Sequence, residues 1–479
     1  MSAVVARLAE SAERGVGRDI GPVAEHGPLL ISSSSEVHGS ITSDAIVQRN
    51  CTLHVRGNLL GSLTIEPGAS VVVDGSVDGR IINKGGRLQV HNKGLAAFVS
   101  VEGPPEDEAG GVLKINLTNL AANYERLVKR TEAECAAVVR ADAYGCGIGP
   151  IAGALWKSGC ETFFVSNLPE AKSVRVVAPQ ATIYVLNGFY SGTGPAFSDI
   201  NARPVINSAI ELAEWDVFVG AQAWEGGCAL NVDTGDSGLG LSLEEATAFA
   251  PRVQSLNHGV ALLLSRLNHA VAPDDPRNER QLEMFRELRR FYRGIPASLA
   301  DSSGIFLGSK AHFDLVRAGS ALYGINPTPG AANPMLPVIE LSARIVQVRD
   351  LQVRDFVRDL AAPASNNGAR GKNGGKRRQR LALVSLGHAD GFPRPAADSA
   401  TPLQVVIGGQ RCRVMAAPSI DLLPIDITDL DRSVARFGAM VTLIGDGIGI
   451  DDLAAASGST GREILSRLGH RFHRIYYAT

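Results

Sequence analysis

Aromatic residues are missing from the first part of this chain. No Phe, Tyr or Trp precedes Phe98, and only that one precedes Tyr124, although the whole sequence holds 15 Phe, 8 Tyr and 3 Trp. A folded core built there has to be narrow and filled by small aliphatic side chains. Paired cysteines are missing too. Cys51, Cys135, Cys146, Cys160, Cys228 and Cys412 are scattered with no CxxC spacing, which argues against a disulfide framework or a zinc site and suits a reducing cytoplasm. His269, His312 and His470 form no metal-ligand spacing either, so no metal site is expected. No apolar run approaches the roughly 18 residues of a membrane span. The opening MSAVVARLAESAERG has neither the basic start nor the apolar stretch of a secretory signal. Neither charge sign dominates: 47 basic and 49 acidic residues leave a net charge of −2, so nothing global recruits nucleic acid or anionic lipid, and no nucleic-acid partner is expected. The reading is a soluble cytoplasmic protein, with work at the inner face of the membrane left open.

Glycine is in excess instead, at 52 of 479 residues. The length suggests about three domains. After a tail over 1–29 expected to be flexible, glycines recur at a fixed interval. Gly39 and Gly57, Gly57 and Gly75, Gly61 and Gly79, and Gly68 and Gly86 are each 18 positions apart. Apolar residues keep the same step: Val55 with Val73, Leu59 with Val77, Leu63 with Ile81. Glycine corners and alternating β-branched residues at a short fixed period predict a β-solenoid over 30–101, whose coils cover one another's apolar faces. An antiparallel meander with coincidental glycine spacing is the competing reading. The run HVRGNLLGSLTIEPGASVVVDGSVDGRIINKGG resembles the bactofilin, or polymer-forming cytoskeletal, family over about Leu30 to Lys93. That resemblance implies self-polymerisation through exposed solenoid ends, because an uncapped coil presents an unpaired strand edge. The acidic, Pro- and Gly-rich EGPPEDEAGG, residues 102–111, reads as a linker.

From Cys135 onward short apolar runs alternate with amphipathic stretches such as Ser208–Phe218 and Glu279–Tyr292. Eight strands are expected near Ala136–Val139, Thr162–Val165, Thr182–Leu186, Arg203–Ile206, Cys228–Val232, Val260–Leu264, Ala297–Leu299 and Leu315–Val316. Eight β/α units are the arithmetic of a TIM barrel, whose chemistry sits at the C-terminal ends of the strands. Past Gly324 the pattern becomes strands and turns, at Leu336–Val348, Leu381–Leu386, Leu403–Ile407 and Met440–Ile444. The fold class is multidomain: an N-terminal β-solenoid, an α/β TIM barrel and a C-terminal mostly-β domain.

The strand ends carry motifs. AAVVRADAYGCG follows the first barrel strand, NVDTGDSGLG the fifth, SLADSSG the seventh and HFDLVRAGSALYGINPTPG the eighth. SLGHADGFPR, APSIDLLPIDITDL and EILSRLGHRFHRIYY come later. In this order they resemble the alanine racemase family, fold-type III pyridoxal phosphate enzymes made of a TIM barrel and a β domain. The resemblance begins near Val112. It implies a barrel over 112–330 whose opening strand, in VLKINLTNLAANYERL, belongs to the β domain, then a β domain over 331–479. It also implies a homodimer in which the partner's β domain completes each site.

At the chemical end of the site this chain departs from the family pattern. The family's lysine, which forms the Schiff base with the cofactor and acts as one of two bases, is matched by Arg140. A guanidinium with a pKa above about 12 cannot supply the neutral amine that a Schiff base needs. The second base is a tyrosine in a loop for which this chain has no tyrosine from Leu351 to Arg380. In its place is an insertion, 361–380, carrying Arg370, Lys372, Lys376, Arg377, Arg378 and Arg380, read as a solvated basic loop with a local anion contact as the alternative. Asn231, Gly238, Arg266 and His388 also replace the family's residues. Ser419 and Asp421 remain around Ile420, and with Arg266 they are read as vestiges of the substrate site. The phosphate end is retained: Tyr144, Ser302, Gly319 and Ser320 match residues that hold the cofactor phosphate, and Arg317 matches the arginine at the pyridine nitrogen. Asp142 and Asp301 stand where the family has asparagines. They would repel a phosphate if they faced it, unless Asp142 neutralises Arg140. Pyridoxal phosphate binding is therefore expected to be noncovalent at most, with another small-molecule anion as an alternative ligand.

Two functions follow. One is a noncatalytic racemase homologue joined to a polymer-forming module, a scaffold or regulator in a cell-wall context. The alternative is an active pyridoxal phosphate-dependent alanine racemase, or a related amino-acid isomerase, that takes its lysine from elsewhere; Lys157, Lys172 and Lys310 are the lysines considered.

Overall fold

The computed structural model describes residues 18–20, 28–59, 61, 63–77, 81–83, 86–90, 98–222, 224, 226–235, 238–256, 259–351, 379–396 and 401–478. It divides into two compact units: residues 1–109 with 471–479, and residues 110–470.

The first unit is rich in strands that pair in parallel. One ladder runs Arg18–Ile20, Ser35–Val37, Thr52–Val55, Ser70–Val73, Arg87–Val90; a second joins Ser40–Ile41, Asn58–Leu59 and Ser76–Val77; a third joins Leu29–Ile31, Ala45–Val47, Leu63–Ile65 and Ile81–Asn83. The glycine interval is the register of these ladders, since Ser35 pairs with Leu53, Asn58 with Ser76 and Leu63 with Ile81. The inward columns Val37, Val55, Val73 and Ile41, Leu59, Val77 are buried, and their cluster is aliphatic with no aromatic ring. Glycine is required at the corners for room. A Cβ on Gly57 would stand 2.0 Å from the Gly39 carbonyl oxygen, and one on Gly75 would stand 1.7 Å from that of Gly57.

Three sequence-based boundaries need correction. Arg18–Ile20, within the tail expected to be flexible, is a strand paired to Ser35–Val37; residues 1–17 and 21–27 lie outside the described residues. Phe98–Glu102 does not extend the repeat. It pairs antiparallel with the C-terminal strand His473–Ala478, and the Tyr476 hydroxyl donates to the Glu102 carboxylate at 3.0 Å. The following segment is a turn rather than a free spacer: the Glu108 and Ala109 amides donate to the Pro105 carbonyl, and Gly111 already belongs to the next strand, Gly111–Asn116.

In the second unit eight parallel strands follow one another: Glu134–Val138, Thr162–Val165, Thr182–Val185, Ala202–Ile206, Cys228–Asn231, Val260–Leu264, Ala297–Ser298 and Leu315–Ala318. Each lies within about two residues of its expected place. The last strand pairs back onto the first, Ala136 opposite Arg317. The seventh meets the eighth through a parallel bridge from Asp301 to Arg317, with the Arg317 amide donating to the Ala300 carbonyl at 2.9 Å. The barrel interior is packed by Ala136, Phe164, Tyr184, Val205, Ala229, Leu262, Leu264 and Leu315, and the Phe164 and Tyr184 rings stack at 5.0 Å.

Gly111–Asn116 pairs antiparallel with Ile339–Leu351, a long strand that also carries Gln379–Ser385 and Met440–Ile444. Gln404–Ile407, Gln410–Arg413 and Leu422–Asp426 complete this β domain. The sequence reading missed its two helices, Ile450–Ser457 and Gly461–Arg467. Residues 361–378 of the basic insertion lie outside the described residues, but Arg380 does not belong to a solvated loop. It is a strand residue, buried, with its Nη1 donating to the Leu430 carbonyl at 2.6 Å. Among the described residues no helix is long and apolar enough to cross a membrane.

Candidate functional site

The C-terminal end of the first barrel strand enters an unusual turn. Ala141 (φ 55°, ψ 52°), Asp142 (φ 53°, ψ 49°) and Ala143 (φ 54°, ψ 52°) are left-handed, as is Tyr144 at φ 55°. For residues with a Cβ this conformation costs roughly 1–2 kcal/mol each. Four in succession persist only where the surroundings hold them. Here the Ala143 amide donates to the Val139 carbonyl at 2.9 Å and the Gly145 amide to Ala141 at 2.8 Å. The Asp142 amide donates to Glu170 Oε1 at 3.2 Å, while the Ser166 amide at the end of the second strand takes Glu170 Oε2 at 2.7 Å. One carboxylate thus ties two strand ends together. Gly145 follows at φ 76°, and a Cβ there would meet the Leu465 carbonyl oxygen at 2.3 Å.

The turn delivers Tyr144 to a buried position, its ring tilted against Tyr323 at 4.8 Å. Burial raises the pKa of its phenol, the guanidinium groups of Arg140 and Arg462 oppose the rise, and Asp301 adds to it. Gly319 lies against the hydroxyl: a Cβ at that position would be 2.7 Å from the Tyr144 oxygen. The amides of Gly319 and Ala321 converge on Ser302 Oγ at 2.9 and 3.2 Å. Ser320, between them, is buried.

Arg317 is buried at the mouth. Its Nη1 donates to the Ser298 carbonyl and hydroxyl at 3.2 and 3.0 Å, and its Nη2 to the carbonyls of Ser265 and, at 3.4 Å, Leu299. Its Nε–H makes no hydrogen bond among the described residues. Burial pulls its pKa down to about 10, with Asp301 opposing and Arg266 adding to the fall, so the group stays cationic at neutral pH.

Arg140 is half-buried beside Tyr144 and makes no ion pair among the described residues. Asp142, the acid that could have neutralised it, does not pair with it. Asp142 turns its Oδ1 to the Ile148 amide, 2.8 Å away, and caps the helix Ile148–Lys157. Asp301 likewise accepts from the amides of Ser303 and Gly304 at 3.1 and 3.0 Å. A carboxylate placed among free amides satisfies them, and this local demand decides where both acids point.

Asn231 gives both amide hydrogens away, to Asn207 Oδ1 at 2.9 Å and the Leu239 carbonyl at 2.8 Å. Gly238 and Arg266 are exposed. Ser419, Ile420 and Asp421 gather elsewhere, against the loop that bears His388: the His388 amide donates to the Ser419 carbonyl at 2.9 Å and the Ala389 amide to Ile420 at 3.1 Å. That loop borders a cleft of about 460 Å³ lined by Arg394, Ser459, Glu463 and Arg467 among others. The structure thus brings Arg140, Tyr144, Ser302, Arg317, Gly319 and Ser320 together and leaves the Ser419–Asp421 group within the β domain. All six cysteines are buried, and Cys146 lends its thiol to the Tyr144 carbonyl at 3.7 Å. Among the described residues no group of three or more His, Cys, Asp or Glu could hold a metal. Sequence reasoning missed Glu170 and Arg462. Glu170 had a signal, as the third residue of a helix capped by Asn167, but that signal speaks of capping only.

Two family models match the chain: the alanine racemase N-terminal domain over residues 115–327 and the alanine racemase C-terminal domain over 338–476. An alanine racemase of Methylobacterium sp. is 44% identical over 368 residues, 77% of this chain and 98% of that protein. One from Rhizobium meliloti is 37% identical over 388 residues, 78% of this chain and 99% of its own. Among solved structures, an alanine racemase from Bartonella henselae with covalently bound pyridoxal phosphate superposes with a TM-score of 0.66 at 30% identity, covering 77% of this chain and 99% of that one. The biosynthetic enzyme of Pseudomonas aeruginosa gives 0.65 at 29%, with the same two coverages.

Proposed function

The chain belongs to the alanine racemase family, and from that premise we propose that its barrel mouth is a pyridoxal phosphate site that no longer racemises alanine. The observation that carries this reading is Arg140, a guanidinium at the position of the amine to which the family links its cofactor. A guanidinium is delocalised and a poor nucleophile, so it neither bonds to the aldehyde nor accepts a proton from an amino acid as a lysine amine does. Among the described residues, Lys310 is paired with Glu279, and Lys172 is exposed on the helix Leu168–Val177.

The rest of the pocket fits the cofactor. The unpaired Nε–H of Arg317 suits a pyridine nitrogen. Tyr144 and Ser302, with Gly319 and Ser320 beside them, suit a phosphate: the Ser302 oxygen accepts from the Gly319 and Ala321 amides, which leaves its O–H to donate. When bound, pyridoxal phosphate supplies an electron sink for the α-carbon of an amino acid. This chain's own residues would then hold its two ends without fixing its aldehyde.

A second reading is an active alanine racemase or related amino-acid isomerase. Similarity to curated proteins named alanine racemase supports it better than it supports loss of activity, and the strained Ala141–Tyr144 turn agrees with a site kept for chemistry. Calorimetric and absorbance titration of the whole chain with pyridoxal phosphate, together with an assay for interconversion of L- and D-alanine, separates the two. The first reading expects saturable binding, no visible-range band that depends on one lysine, and no enzyme-like interconversion. Interconversion at an enzyme-like rate gives the site to the second.

The strand-rich N-terminal region is read as a β-solenoid of bactofilin type, supported by its parallel ladders and 18-residue register. The barrel and β domain are expected to form a homodimer as in the family, with solenoid ends linking dimers in a cell-wall context. Sedimentation that finds only discrete dimers at every concentration removes the polymer part.

A further inference from the structure

The acids of the barrel mouth are already occupied, while Arg140 faces no carboxylate among the described residues. Asp142 and Asp301 spend an oxygen on backbone amides. Arg140 has no carboxylate partner among the described residues, and Arg317 keeps a free Nε–H. Arg462 adds a second guanidinium near the Tyr144 hydroxyl, and Arg266 adds another close enough to act on Arg317. A half-buried guanidinium without an anion has given up water for nothing. Its rigid fork of donors matches a carboxylate in two parallel bonds, which neither an aldehyde nor an alcohol can accept.

We propose that Arg140 makes this pocket a receptor for a phosphorylated pyridine acid, one that carries a carboxylate where pyridoxal phosphate carries its aldehyde. The proposal rests on the pocket being a pyridoxal phosphate-type site. In it the phosphate takes the Tyr144, Ser302 and Gly319 end, the ring nitrogen takes Arg317, and the carboxylate pairs with Arg140. No covalent step is involved. The substitution that removes the family's amine thereby changes the ligand at one ring position, from a group that reacts with a nucleophile to one that pairs with a cation.

Three probes that differ only at that ring position test it on the full-length chain by calorimetry: 4-pyridoxic acid 5′-phosphate, pyridoxine 5′-phosphate and pyridoxamine 5′-phosphate, which bear an acid, a neutral alcohol and an ammonium. None reacts with lysine. The expected order of affinity is acid, alcohol, amine, with the acid on the order of tenfold or more tighter than the alcohol. Arg140→Met should bring acid and alcohol to within about threefold while the alcohol is little changed. Arg140→Gln should do the same and guards against a folding defect of the first variant. Equal binding of acid and alcohol by the unmodified chain overturns the proposal and leaves the pocket reading standing. So does an acid preference that survives both substitutions. If none of the three binds, the pocket reading and the proposal fall together.

Discussion

The repeat region and the barrel mouth handle the backbone in opposite ways. In the repeat, glycines stand where the neighbouring backbone leaves no room for a Cβ: Gly57 would meet the Gly39 carbonyl at 2.0 Å, and the demand is for space. At the barrel mouth, Ala141, Asp142, Ala143 and Tyr144 adopt the positive φ that glycine would tolerate at little cost, yet none of them is glycine. A repeating ladder minimises strain because each coil must accept the next. A site can hold strain, because one well-tied turn aims side chains that a relaxed chain would scatter. Backbone is easy in the first region and costly in the second.

The largest effect should come from removing the room. Gly57→Ala drives a Cβ into backbone that no rotamer change can relieve, at a cost of about 2–3 kcal/mol. Amide exchange over residues 35–77 should speed up while exchange in the barrel strands stays unchanged; equal protection in both would break the contrast. Next comes the tie on the turn. Glu170→Ala leaves the Asp142 and Ser166 amides without acceptors, a loss of about 2 kcal/mol in chemical unfolding of the barrel. Glu170→Gln, which keeps one acceptor, should lose about half as much. The smallest effect has the opposite sign. Ala141 is exposed and left-handed, so Ala141→Gly relieves strain that exceeds glycine's extra entropy and should stabilise the barrel by about 0.5 kcal/mol. A destabilised Ala141→Gly chain would mean that the turn is not strained at that residue.

Much of the fold was legible. The 18-residue glycine interval is the ladder register, because successive parallel strands pair residues 18 apart. The eight barrel strands were readable because each is a short apolar run followed by a helix. The guanidinium chemistry of Arg140 was legible from the sequence. Other features were hidden. Nothing in ADAY announces a left-handed turn, since Ala, Asp and Tyr all prefer other conformations. Asp142 and Asp301 looked like pocket charges, but each faces amides that only the folded loop exposes. Arg380 counted as one more cation of a basic tract, although a strand register buries it against Leu430. Phe98 fell inside the repeat expected over 30–101, whereas its strand pairs antiparallel with His473–Ala478.

Local pattern, period and residue chemistry were determined by the sequence alone: the repeat interval, the β/α alternation, the family, and a guanidinium at position 140. Those are properties of short stretches and of single side chains, and they need no long-range contact. Tertiary structure decided the partnerships. Glu170 reaches a turn 28 residues before it, Gly319 closes on Tyr144, and the two acids are drawn to backbone amides, so that neither pairs with Arg140. Free donors and filled space exist only once distant segments meet, and that meeting is what turns a list of site residues into a pocket with a charge.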